Sequence, residues 1–70
     1  MDESRLEEAQ QRVVEAEERV KVQAARVADL AHRGQDTTQA QDTLAVFELT
    51  LRLMREDLAR EQERAANKLP

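Results

Sequence analysis

Few residues in this chain are of a type and spacing suited to reactive chemistry, and one pattern comes closest. Asp29-x-x-His32 puts an acid and an imidazole on one helical face, a spacing related to the Glu-x-x-His motifs of carboxylate-bridged di-metal bundles. Here the acid is aspartate, His32 is the sole histidine, and no second such motif supplies the remaining ligands. The pair also falls at a helix end, where a cationic His32 favours the dipole, so the structural role is the expected one. The acids Glu7-Glu8 and Glu17-Glu18 diverge by about 100° on a helix, and Glu61 and Glu63 diverge further, so none converge as general acid and base. Nucleophilic catalysis needs an activated Ser, Cys or Lys beside a base, on a scaffold with a concave site. Cysteine is absent and Ser4 falls in a fraying first turn. The expectation is a protein that is not an enzyme, with no catalytic residue, cofactor or metal.

The elements that would hold such residues are helices. One Gly, one Pro, one Phe, no Trp and no Tyr in 70 residues leave too few turn and strand formers for a β or α/β fold. Ala, Leu, Glu, Gln and Arg dominate, and all are good helix formers. A chain of this length is one domain at most and buries little surface. Without cysteine there is no disulfide, and one histidine excludes a Cys/His zinc site. A second subunit is the common remedy that remains.

The first half repeats every seven residues from Arg5: RLEEAQQ, RVVEAEE, RVKVQAA, RVADLAH, then Arg33. Leu6, Val13, Val20 and Val27 occupy heptad position a, and Ala9, Ala16, Gln23 and Leu30 occupy d, the spacing of a coiled-coil seam. The arginines fall at g, where their stems can cover apolar core. His32, Arg33 and Gly34 read as a helix C-terminus. Gln35-Asp36-Thr37-Thr38 offers N-cap side chains: Asp36 with Gln39 as a capping box, or Thr37 or Thr38 instead. So short a connection makes the helices antiparallel.

The second helix carries its own seam through Ala40, Leu44, Phe47, Leu51, Met54, Leu58, Glu61 and Ala65. One register sets Leu30 against Leu44, Val27 against Phe47, Gln23 against Leu51, Val20 against Met54 and Ala16 against Leu58, and a slip of half a heptad is open to it. Acid-before-base pairs four residues apart (Glu8–Arg12, Glu15–Arg19, Glu17–Lys21, Asp29–Arg33, Glu48–Arg52, Glu56–Arg60) add about 0.2–0.5 kcal/mol each. The fold class expected is all-α, a two-helix antiparallel coiled-coil hairpin: helix one at about 4–33, a turn at 34–36, helix two at about 37–67, and a frayed end at 68–70. Its core is Leu6, Val13, Val20, Val27, Leu30, Leu44, Phe47, Leu51, Met54 and Leu58.

One seam leaves a feature over. Eight of the eleven residues from Leu44 to Met54 are apolar, and Val46, Leu49 and Leu53 form a second stripe well over 90° around the helix from the first. A helix apolar on two sides is buried on two sides. Ala24, Ala25, Ala28 and Ala31 make the adjoining turns of helix one small and weakly polar, while the end far from the turn is rich in Glu and Arg. The candidate association surface is therefore Ala25, Ala28, Val46, Leu49 and Leu53. Its expected use is a homodimer, two hairpins overlapping as a four-helix bundle, with another protein as a further partner.

The reading that follows is a small interaction module: an adaptor, regulator or structural subunit. The alternative is a nucleic-acid-binding hairpin dimer, against which stand a net charge of −4, arginines interleaved with glutamates, and Phe47 as the sole aromatic. No apolar run approaches the roughly 18 residues of a spanning helix, and Met-Asp-Glu-Ser-Arg does not open a secretory signal, so a cytoplasmic protein is expected. From Leu30 to Arg60 the chain resembles a class of short bacterial helical-hairpin proteins. In these a G-x-D-T turn precedes an alanine, then L-x-x-F-E-x-x-L and a later base. The matching residues here are Gly34, Asp36, Thr37, Ala40, Leu44, Phe47, Glu48, Leu51 and Arg55. The resemblance implies a natural bacterial hairpin and no particular ligand or activity.

Overall fold

The computed structural model describes residues 2–68, and among these it contains two helices: α1 (Asp2–His32) and α2 (Thr38–Asn67). At 1.5 Å per residue each helix is about 45 Å long. They lie side by side in a hairpin 58 Å long and 13 Å across. The bounds differ from the expected ones by a residue or two, the usual latitude at helix ends. Lys68 closes the last turn, its N–H donating to the Ala65 carbonyl at 3.3 Å. The fraying expected of 69 and 70 lies outside the described residues.

The connection is built from backbone hydrogen bonds. Gly34 has φ +71°, its N–H donates to Ala31 at 3.0 Å, and the Gln35 N–H donates to Leu30 at 2.9 Å. These two bonds make a Schellman motif, which satisfies carbonyls that the end of α1 leaves unpaired. A Cβ on Gly34 would meet nothing within 4 Å, so glycine is required by the left-handed backbone and not by space. Two residues later the Asp36 carboxylate accepts from the Thr38 N–H at 2.9 Å and from the Thr38 hydroxyl at 2.7 Å. Asp36 thus satisfies an orphan donor at the start of α2 from one residue before the N-cap position, Thr37, whose own side chain makes no cap bond. The partner that completes this cap is Thr38 and not Gln39 as a capping box requires. Both bonds favour the charged carboxylate and hold its pKa below the ordinary 3.8.

The register departs from the one expected. Leu51 packs with Val13 and Ala16, and the Gln23 side-chain amide donates to the Ala40 carbonyl at 2.9 Å. Gln23 therefore stands near Ala40, not Leu51, and α2 is shifted by about one heptad. The connection is the cause: α1 ends at His32 and α2 starts at Thr38, so residues about equidistant from Gly34 must meet. Opposing Leu30 to Leu44 would leave the first turns of α2 overhanging the end of α1. The seam itself is as spaced in the sequence. Leu6, Ala9, Val13, Ala16, Val20, Gln23, Val27 and Leu30 on α1 are buried or half-buried, as are Ala40, Leu44, Phe47, Leu51, Met54, Leu58, Glu61 and Ala65 on α2. Ala9, Val13, Ala16 and Leu51 are buried, as is Ala40 near the turn, and the other seam residues are half-buried along the whole hairpin, from Leu6, Met54 and Leu58 to Val27, Leu30, Leu44 and Phe47.

Charged pairs also rearrange. Asp29–Arg33 forms at 3.2 Å, but Glu17 reaches across the hairpin to Arg55 at 3.1 Å rather than along α1 to Lys21. Arg60 pairs with Asp57 at 3.6 Å in place of Glu56. Such exposed pairs contribute at most about 1 kcal/mol each.

Two outcomes follow from the connection. Gly34→Ala should cost about 1–2 kcal/mol of left-handed strain, read as a melting temperature lowered by roughly 5–10 °C in circular dichroism. Asp36→Ala should also lower the melting temperature, in a pH-dependent way. The native pKa is depressed, so the wild-type advantage is full above the ordinary carboxyl value. It fades as the pH falls below about 3.8 and is lost below the native value. An advantage unchanged down to pH 2 would show that Asp36 does not cap as a carboxylate.

Candidate association surface

Once the seam is closed, the apolar side chains left in water are few and clustered. Val46 is 60% exposed, Leu49 50% and Leu53 48%. They lie roughly 110–170° around α2 from its seam residues, so α1 cannot cover them. Two further valines are equally exposed, Val22 at 60% and Val14 at 56%. The sequence pattern alone did not single these out, because each stands by itself among charged neighbours.

The two long edges of the hairpin differ. On one, Glu17 and Arg55 bridge the helices. On the other, the facing side chains are the heptad arginines of α1 and the short Thr43 and Thr50 of α2, and the helices leave a groove. It contains three recesses in a row. The one nearest the turn, about 390 Å³, is lined by Gln23, Arg26, Leu30, Ala40 and Thr43 among others. The middle one, about 90 Å³ and mainly apolar, is lined by Ala16, Arg19, Val46, Phe47 and Thr50. A third, about 290 Å³, runs between Arg12, Arg19, Thr50 and Met54. The middle recess exists because Ala16 is only a methyl and Thr50 is short, which leaves half-buried Phe47 incompletely covered.

Helical phase assigns each candidate to a side. Val46 and Leu53, one heptad apart, border the groove; Leu49 lies at the outermost line of α2; Val22 of α1 borders the groove from the other side, near the height of Val46. Ala25 and Ala28 are exposed, but they lie about 170° and 130° around α1 from its seam and face away from the groove. The five residues expected to form one surface therefore divide into an apolar stripe on α2 and a pair of alanines across the hairpin from it. Proximity along the helix axis does not imply a shared face when the helix turns about 100° per residue. Val14 lies on the bridged edge, so the end far from the turn is not wholly polar.

Electrostatics distinguish the groove further. Among the described residues Arg33, Arg55, Arg60 and Arg64 have carboxylate partners within 4 Å, whereas Arg12, Arg19 and Arg26 along the groove, like Lys21 and Arg52 away from it, form no ion pair. Among the described residues no three His, Cys, Asp or Glu side chains are grouped so as to hold a metal ion. Asp29 is engaged by Arg33, and His32 ends α1 exposed. No described helix is long and apolar enough to cross a membrane. No family model, curated protein or solved structure matches the chain.

The division into seam and surface is testable by truncation. Leu51→Ala removes a side chain packed on Val13 and Ala16 and should cost about 2–5 kcal/mol. Val14→Ala removes an exposed β-branched residue from a helix and should stay within about 0.5 kcal/mol, on the stabilising side. Comparable losses in thermal or urea unfolding would refute this assignment of the core.

Proposed function

We propose that this chain is a small non-enzymatic protein–protein interaction module that acts through helix–helix contacts, with a second copy of itself as its first partner. Two hairpins associate through the outer face of α2 into a four-helix bundle. One observation carries the reading: Val46, Leu49 and Leu53 form a contiguous apolar stripe, each about half exposed or more, on a helix whose seam is already occupied. Contiguous exposed apolar surface of this kind marks interaction sites, whereas singly scattered residues do not. A covering helix would also remove the half-buried Leu44 and Phe47 from water. The small size of the core, which a second subunit enlarges, supports the reading too. An adaptor, regulator or structural subunit built this way keeps its other surfaces, including Ala25, Ala28 and Val14, for a further protein.

The reading as a nucleic-acid-binding hairpin is weaker. Glu15 and Asp29 border the arginine row, and Phe47, the sole aromatic, is half-buried in the seam, where it cannot stack on a base.

The solution mass tests the proposal. Light scattering should give about twice the 8.0 kDa chain mass. Leu49→Glu with Leu53→Glu should give the single-chain mass with helicity retained, because both positions are exposed in the hairpin. A wild-type monomer across a hundredfold range of concentration, or a double variant that keeps the dimer mass, would sink self-association through this face.

A further inference from the structure

We propose that the arginine-lined groove of each hairpin receives α2 of the second copy, the two α2 helices lying parallel about a two-fold axis that runs along the hairpin. This rests on the homodimer reading and adds its geometry and its charge pairing. The outermost line of α2 reads Asp42, Leu49, Glu56 and Glu63, one every seven residues. The groove edge of α1 reads Arg26, Arg19, Arg12 and Arg5, with the same period. Both rows repeat about every 10.5 Å.

The observed register puts these rows at matching heights. Val13 and Ala16 pack around Leu51, Arg19 shares a recess with Val46, Phe47 and Thr50, and Arg26 shares one with Ala40 and Thr43. Arg26, Arg19 and Arg12 therefore stand close to the heights of Asp42, Leu49 and Glu56, within about one or two residue rises. A two-fold axis parallel to the helices preserves height. It brings Asp42 of the second copy to Arg26, Glu56 to Arg12 and Glu63 to Arg5. Leu49, the one apolar member of its row, arrives at Arg19 beside the middle recess, which like the one between Arg12 and Met54 is mainly apolar and whose 90 Å³ is of the order of a leucine side chain. Thr43 and Thr50 of the two copies flank the axis, and Val46 and Leu53 of each copy lie against α1 of the other.

Charge complementarity argues for a second copy as occupant. Among the described residues Arg12, Arg19 and Arg26 form no ion pair within the hairpin, and neither do Asp42, Glu56 and Glu63. Each set lacks what the other offers. A two-fold axis perpendicular to the helices would stack α2 directly on α2 and leave the groove unfilled. Only the parallel axis lets both copies insert reciprocally, closing a rhombic four-helix bundle.

The test uses two charge variants of the whole chain. One is Arg12→Glu with Arg26→Glu; the other is Asp42→Arg with Glu56→Arg. Each alone sets like charges against each other at both copies of the interface, and dimer affinity should fall on the order of 100-fold at low salt. Mixed one to one, both interfaces become complementary, and the mass should return to that of the wild-type dimer. Circular dichroism should show each variant helical, since all four positions are exposed. A wild-type monomer would defeat the homodimer reading and this geometry together. A wild-type dimer whose variants keep its affinity, or whose mixture stays monomeric, would overturn the geometry and leave self-association standing. Cysteine cross-linking on the otherwise unchanged chain decides independently. Thr43→Cys and Thr50→Cys should each oxidise to a covalent dimer with itself; cross-links only between the two variants would mean antiparallel α2 helices and overturn the proposal.

Discussion

The structure depends on the five residues between His32 and Thr38. A Schellman motif closed on Gly34 reverses the chain, and Asp36 caps the next helix two residues later. Both devices satisfy backbone groups that helix ends leave unpaired, so the reversal is held by hydrogen bonds and needs no packed loop. Its shortness then acts at a distance. Two straight helices joined by five residues can meet only with residues equidistant from the turn opposed, and that selects Leu51 as the neighbour of Ala16. Every later feature, from the Glu17–Arg55 bridge to the position of the groove, inherits this register.

Packing along the seam is uneven for a reason visible in the side chains. Toward the far end, Ala9, Val13 and Ala16 let α2 approach, and Leu51 fills the space between the helices. Nearer the turn, Gln23 interrupts the apolar row and spends its amide on the Ala40 carbonyl. Ala40 is buried there, while Val27, Leu30 and Leu44 remain half in water. The hairpin is thus sealed where small residues let the helices approach, and half-buried side chains occur along the rest of the seam, including the segment where α2 carries its surplus of apolar residues. Surface exposure and incomplete burial coincide in one segment, which is the physical basis for expecting a covering helix there.

The two edges of the hairpin are dissimilar because the flanking heptad positions differ. On one edge Glu17 and Arg55 are long enough to span the helices. On the other, arginines of α1 face threonines of α2, and a short side chain cannot meet a long cation across the gap. The result is a groove with a cationic margin and an apolar floor. Ion pairs on a surface contribute little to stability, yet unpaired charges arranged in a row govern which surfaces approach each other and in what register.

Much of this was legible in the residues themselves. The 3-4 spacing identified both helices and every seam position, Gly34 marked the turn, and the surplus of Val46, Leu49 and Leu53 was readable as a second stripe, because helical periodicity is a local property. Other features needed the folded hairpin. The sequence pattern left only a half-heptad slip open, yet a heptad repeat looks the same after a slip of seven, and the closed connection set a register about one heptad away from the one expected. Ala25 and Ala28 were grouped with the stripe by their position along the chain, whereas their phase on α1 turns them to the opposite side. Val22 was hidden among charged neighbours until a second helix brought it level with Val46. Composition and period thus determined which residues each helix would bury, but which exposed residues share a face depends on how two helices are phased against each other, and that is a tertiary quantity.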